Sequence, residues 1–153
     1  MQNAIAEWVL YGLLLAGLLL EAVIDIKKQK IWIPVIIIEI PFLLGLNYFI
    51  GRGGMLLWVA FLGTGFVFYL ISIVTGEQIG KGDAFLFAMT GAGMGFFENI
   101  RLLYFTFLIA FFAAVFLWLI KKKGRNYRMP MAPFVLAAFC LLLTEKLAFW
   151  FCG

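Results

Sequence analysis

Apolar residues fill six long runs of this chain, at about 4–24, 31–50, 55–75, 84–97, 102–120 and 131–151, separated by short polar stretches. Most approach the 20 or so residues a helix needs to cross a bilayer. Open strands cannot satisfy their backbone groups in lipid, so all six runs are expected to be helices. The fourth is too short for a clean crossing. Either it continues past Glu98, or it begins below the surface in a cavity lined by protein.

Composition strengthens this picture. Of 153 residues, 65% are hydrophobic, 18% aromatic and 13% charged. A soluble domain of this size could not hide so much apolar surface. The expectation is an all-α, polytopic membrane protein, with residues 1–153 forming one integral-membrane domain of six transmembrane helices in one bundle. The first run suits a full span, and no Lys or Arg precedes it, so it does not read as a cleavable signal peptide. The eighteen phenylalanines read as lipid-facing and core bulk.

The formal charge of +4 does not point to nucleic acid, because the basic residues sit in short loops between apolar runs. Lys27, Lys28, Lys30, Lys81, Lys121, Lys122, Lys123, Arg125 and Arg128 lie in loops one, three and five, whereas loops two and four hold Arg52 and Arg101. The positive-inside rule places the first set in the cytoplasm and both termini outside. The basic 121–125 stretch also suits anionic lipid headgroups. Pro130 and Pro133 mark the start of the sixth helix, the end at which proline is tolerated.

Histidine is absent, which excludes His-based triads, imidazole proton shuttles and histidine metal sites. Cys140 and Cys152 have no CxxC partners for a structural zinc site and read as small buried hydrophobes. Neither a metal nor a cofactor is expected.

The chemistry then falls to carboxylates. Asp25 closes the first run, and Asp83 heads the fourth within Gly80-Lys81-Gly82-Asp83. An acid beside hydrocarbon must be solvated by a cavity, a partner or a proton. The expected topology brings both acids to the cytoplasmic side, at opposite ends of their helices and at one depth. Two such carboxyls can share a proton and hydrolyse a peptide, one as base toward a bridging water and the other as acid toward the carbonyl. The structural alternative is that each caps a helix or pairs with loop lysines. Asp83 suits a helix N-terminus, whereas Asp25 sits at a C-terminus, with Lys27 and Lys28 as compensation.

Around this pair lie further candidates. Gly80 and Gly82 leave room for close backbone approach on either side of Lys81. Glu21 is one turn before Asp25 on the same helix face and either lines the cavity or snorkels at the interface. Glu39 is mid-span in the second run, as a cavity-lining acid or a polar tie between helices. Glu145 and Lys146 are adjacent on one helix and must find separate partners. Gly91, Gly93 and Gly95 read as close helix packing, since no strand precedes them to make a nucleotide loop.

Gly80-Lys81-Gly82-Asp83, the small-residue run Gly91-Ala92-Gly93-Met94-Gly95, and Asp25 followed by a short basic loop resemble the type IV prepilin peptidases, GxGD membrane aspartic proteases. Met129-Pro130-Met131-Ala132-Pro133-Phe134 is similar to the motif that opens that family's last helix. The resemblance covers essentially the whole chain. It implies cleavage of leader peptides from prepilins or pseudopilins at the cytoplasmic face of the cell membrane, with Asp25 and Asp83 as catalytic residues. Two departures stand out. Ile31-Trp32-Ile33-Pro34 displaces the proline of the family's Ile-Pro-Asn, and no N-terminal region with paired cysteines is present. The chain thus resembles the short, peptidase-only kind, without methyltransferase activity.

Two rivals remain at this level. One is a small proton- or cation-coupled transporter using Asp25, Asp83 and Glu39. The other is a presenilin-like protease, although that group has a tyrosine before its first aspartate, where Ile24 stands here. The oligomeric state is not legible.

Overall fold

The computed structural model describes residues 2–51, 54–75, 80–121 and 129–152. Among them every regular element is helical. Helix α1 spans Gln2–Lys28 and α2 Ile33–Phe49. Helix α3, Met55–Trp58, runs through a π turn at Val59–Gly63 into α4, Thr64–Val74. Helix α5 covers Lys81–Met94, α6 Phe96–Lys121 and α7 Ala132–Cys152. Three of them hold stretches long and apolar enough to cross a membrane: Ile5–Lys28, Phe96–Leu119 and Ala132–Phe149. Helices α2 and α4 are apolar but shorter.

The centre of the molecule is α5. Ala84 and every residue from Leu86 to Met94 are buried, so the helix has no outward face and no amphipathic pattern. It packs against α1, α2, α4, the π turn and α6, while α7 closes the bundle between α1 and α6. Small residues make these approaches possible. A Cβ on Gly65 would lie 2.8 Å from that of Ala88, and one on Gly93 would lie 2.9 Å from Leu14 Cδ2. At Gly91 it would stand 2.5 Å from the Ala60 carbonyl oxygen. Gly91 and Gly93 therefore serve close packing, as expected, whereas Gly95, with nothing within 4 Å of its would-be Cβ, does not. Phe68, Phe87 and Phe107 join α4, α5 and α6 with ring centroids 4.4 to 6.0 Å apart.

Buried polar groups tie the far end of α5. Asn47 Nδ2 donates to the Ala92 carbonyl at 2.7 Å and approaches that of Gly93 at 3.1 Å. Thr90 donates to Asn99 Oδ1 at 2.8 Å, and Asn99 Nδ2 donates to Thr64 Oγ1 at 3.3 Å. Thr64 in turn donates to the Ala60 carbonyl inside the π turn. This network links α4, α5 and α6 where the helical ladder is irregular, the setting in which freed carbonyls need side-chain donors.

One boundary differs from expectation. The fourth apolar run does not continue past Glu98; α5 stops at Met94, and α6 begins at Phe96. Gly95, at φ +82°, makes the turn in one residue, a conformation that a side chain would strain. Glu98 and Arg101 are thus not in a loop but in the first turns of α6, where an acid suits the helix N-terminus. Arg101 reaches α7, its Nη2 lying 2.8 and 2.9 Å from the two oxygens of Glu145. Lys146 donates to Glu7 and, at 2.8 Å, to the Tyr11 hydroxyl on α1. The adjacent pair has found separate partners, on α6 and α1. Cys140 is exposed on α7, contrary to the burial expected of it; one face of that helix looks out of the bundle. Helix α6 also presents Phe111, Phe112, Phe116 and Trp118 outward. The basic stretch beyond Lys121 lies outside the described residues.

Gly91→Ala should lower stability by about 2 kcal/mol or more, because backbone blocks the new methyl on one side. Gly12, with nothing within 4 Å of its would-be Cβ, is the control, and its Ala variant should be neutral or stabilised by up to about 1 kcal/mol. Unfolding of the detergent-solubilised protein followed by circular dichroism measures both.

Candidate active site

Asp25 is placed by α1. Leu10, Leu14, Leu18 and Ala22 bury one side of this helix, and Asp25 continues that side near its C-terminus, only 5% exposed. An acid there is opposed by the helix dipole. Compensation comes from a second helix end rather than from loop lysines: Ala132 N–H, at the start of α7, donates to Asp25 Oδ2 at 3.0 Å. The carboxylate thus faces a helix N-terminus, where negative charge is favoured. Lys27, Lys28 and Lys30 are exposed. The helix closes with Gln29 at φ 50°, its N–H donating 2.8 Å to the Asp25 carbonyl.

Asp83 is placed by the N-terminus of α5. Gly80 is the N-cap, extended at φ −63° and ψ 138°. Asp83 N–H donates to the Gly80 carbonyl at 3.0 Å, and the Asp83 carboxyl turns back toward Gly80, its Oδ2 3.3 Å from where a Gly80 Cβ would be. The side chain three residues in thus lies back over the cap, in the manner of a capping box. The glycines serve this geometry. A Cβ on Gly82 would lie 2.8 Å from Ile31 Cβ. The close approach at Gly82 is therefore made by Ile31 of the same chain. Lys81 opens the helix and is exposed.

The two aspartates, 58 positions apart in the chain, are electrostatically coupled. Burial pushes the Asp83 carboxyl above the usual carboxylate range, the negative charge of Asp25 pushes it further, and the Gly80 backbone pulls part of the way back. A partly buried carboxyl that keeps its proton to higher pH, beside one that accepts an N–H, is the asymmetric pair that general acid–base hydrolysis needs.

A scan against family models matches residues 12–119 to the type IV leader peptidase family. The chain belongs to that family. Membership brings proteolysis of the prepilin leader peptidase type, with aspartates as the reactive groups. The match takes in both aspartates and ends before α7, whose first amide holds Asp25. No curated protein and no solved structure matches the chain.

The other candidates of this leader-peptidase chain fall behind Asp25. Glu21 is fully buried rather than snorkelling, and its Oε2 accepts the Trp32 N–H at the head of α2 at 2.9 Å. Glu39 is buried on α2 against Gly17 of α1, where a Cβ would overlap its carboxyl oxygens. Two backbone donors, from Ala132 and Trp32, escaped the sequence reading. Only the prolines flanking Ala132 hinted that a helix N-terminus stood there. A cleft of about 260 Å³ at the other end of the bundle, bordered by Tyr11, Arg101, Glu145 and Lys146, includes none of the candidate residues.

Asp25→Asn should lower the titration midpoint of Asp83, because one of the two influences that raise it is removed while burial stays. Carbon-13 NMR of aspartate-labelled protein would read this without requiring activity, and an unmoved Asp83 would show the two groups to be uncoupled.

Proposed function

We propose that this protein is a membrane-embedded aspartic endopeptidase that removes the leader from prepilins or pseudopilins at the cytoplasmic face, with Asp25 and Asp83 as its catalytic residues. The observation that carries the reading is a buried Asp25 and a half-buried Asp83 close enough for the charge of one to act on the other, in a chain of the leader peptidase family. Family membership weighs against the transporter. So does the helix face itself: beyond Glu21 and Gly17, α1 continues with Leu14 and Leu10, both fully buried and apolar.

In the proposed reaction Asp83 carries the proton and Asp25 the negative charge. Asp25 takes a proton from a water molecule as its oxygen attacks the scissile carbonyl carbon, and Asp83 gives its proton to the carbonyl oxygen. The tetrahedral diol then collapses. Asp25 returns its proton to the amide nitrogen, the C–N bond breaks, and Asp83 recovers a proton from a diol hydroxyl. The Ala132 N–H occupies Asp25 Oδ2 and leaves Oδ1 for the water. Gly80 and Gly82 hold Asp83 at the helix head by letting the Asp83 carboxyl and Ile31 approach the backbone closely.

The topology is proposed with the chemistry. Six helical segments cross the bilayer, α3 and α4 counting as one, and both termini lie outside. The end of the bundle carrying Asp25, Asp83, Lys27, Lys28, Lys30 and Lys81 faces the cytoplasm. No step requires a methyl donor, and the released N-terminus is expected to stay unmethylated.

Asp25→Asn and Asp83→Asn should each cut cleavage of a co-expressed prepilin by roughly a thousandfold or more while leaving the protein inserted and helical. Mass spectrometry of the substrate's N-terminus reads cleavage position and methylation together. Normal processing by either variant would refute the assignment.

A further inference from the structure

Between α1 and α2 lies a second group of acids that peptide hydrolysis by two aspartates does not use. Gly17, Glu21 and Asp25 are spaced by four residues along α1 and share one face. Glu21 has no exposed surface, and Glu39, opposite on α2, has 8%. Each keeps one carboxyl oxygen, its Oε1, buried without a hydrogen-bond partner. The chain makes room for this arrangement: the Glu39 carboxyl occupies the space that a Cβ of residue 17 would take, so any side chain there would displace it. Glu39 feels the charge of Glu21, and Glu21 that of Asp25.

Two buried carboxylate oxygens without partners between packed helices are costly to keep both ionised without a counter-charge. Among the described residues no cation bonds to either oxygen. Helix α1 contributes Asp25, also negative, and its lysines are exposed at its end. On α5 stands Asp83, with Lys81 exposed at the helix head. On α7, Lys146 is committed to Glu7 and Tyr11, and Glu145 to Arg101, at the other end of the bundle. Among the described residues no cluster of three metal-binding side chains exists there either. A proton is the remaining counter-charge.

We propose that Glu21 and Glu39 form a second carboxyl pair that holds one proton between them, and that the single negative charge of this pair sets the proton balance of Asp25 and Asp83. Glu21 accepts the Trp32 N–H and so carries the charge, while Glu39 carries the proton. Glu21 is thus a positioning residue twice over: it fixes the head of α2 through Trp32, and it acts on Asp25 through its charge. The effect on cleavage rests on the proposed catalytic roles; the shared proton does not.

Infrared spectroscopy separates the two. In the Asp25→Asn, Asp83→Asn double variant at neutral pH, the remaining acid groups that are exposed are ionised, so a carboxylic-acid carbonyl band reports on Glu21 and Glu39. The band should be present there and lost on adding Glu39→Gln. Its absence from the double variant, or its survival after Glu39→Gln is added, would overturn the shared proton whatever the catalytic roles are. With Asp25 and Asp83 intact, Glu21→Gln keeps an oxygen for Trp32 but removes the charge. The alkaline limb of the cleavage profile should then move to lower pH, with a several-fold loss at a fixed pH on that limb. Glu39→Gln leaves Glu21 charged and should leave the limb in place. A Glu21→Gln profile superposable on the parent's would reduce Glu21 to a structural clamp and overturn the charge coupling. Circular dichroism and membrane insertion of each variant exclude misfolding as the cause.

Discussion

The arrangement depends on one hydrogen bond, from the first amide of α7 to a carboxylate at the end of α1. Asp25 sits where its own helix dipole repels it, and a buried carboxylate without a donor would be driven to neutrality or out of the core. The N-terminus of α7 supplies both the donor and a favourable field. Because the two helices are the first and last of the chain, this contact joins their ends beside α5, as Lys146, Glu7 and Tyr11 join them at the other end. Holding the Asp25 carboxylate and aligning α7 along α1 are therefore linked.

The same device recurs one turn earlier. Glu21 accepts the backbone N–H of Trp32 at the head of α2, so two acids on one face of α1 each hold the N-terminus of a different helix. A third helix head, that of α5, carries its own acid, Asp83, turned back over Gly80. Three helix N-termini thus meet three carboxyls at one end of the molecule. Their fields favour negative charge there, while burial opposes it, and at Asp83 burial prevails and raises the carboxyl above its usual range.

Much of this was legible in the sequence, and the reason differs by feature. The apolar runs marked the helices because lipid demands length and hydrocarbon, both of which are written in residue type. Asp25 and Asp83 stood out because an acid beside hydrocarbon is costly and so rarely accidental. The partners that make them work did not stand out, since a backbone N–H belongs to every residue but proline; Ala132 and Trp32 donate through atoms that carry no residue identity. The one-residue turn at Gly95 was hidden because a helix break normally needs several polar residues, and here a single positive φ suffices. Glu21 was ambiguous for another reason. A glutamate one turn from a helix end can reach water or turn inward, and only the position of Trp32 decides.

The placement of stability follows from these demands. The end with the aspartates gathers buried carboxyls and unpartnered oxygens, each unfavourable by itself. The middle of the bundle offsets them with α5, which buries its whole circumference and lets glycines and alanines bring neighbours to contact. The opposite end is joined by ion pairs, Arg101 with Glu145 and Lys146 with Glu7. Pairs as exposed as the first contribute little stability of their own, but they fix which turns of α1, α6 and α7 lie level with one another. That register is what the hydrogen bond to Asp25 requires: a slip of α7 along α1 by one turn, about 5.4 Å, would carry the Ala132 amide out of reach. The charged residues far from the aspartates thus serve them through the rigid length of the helices between.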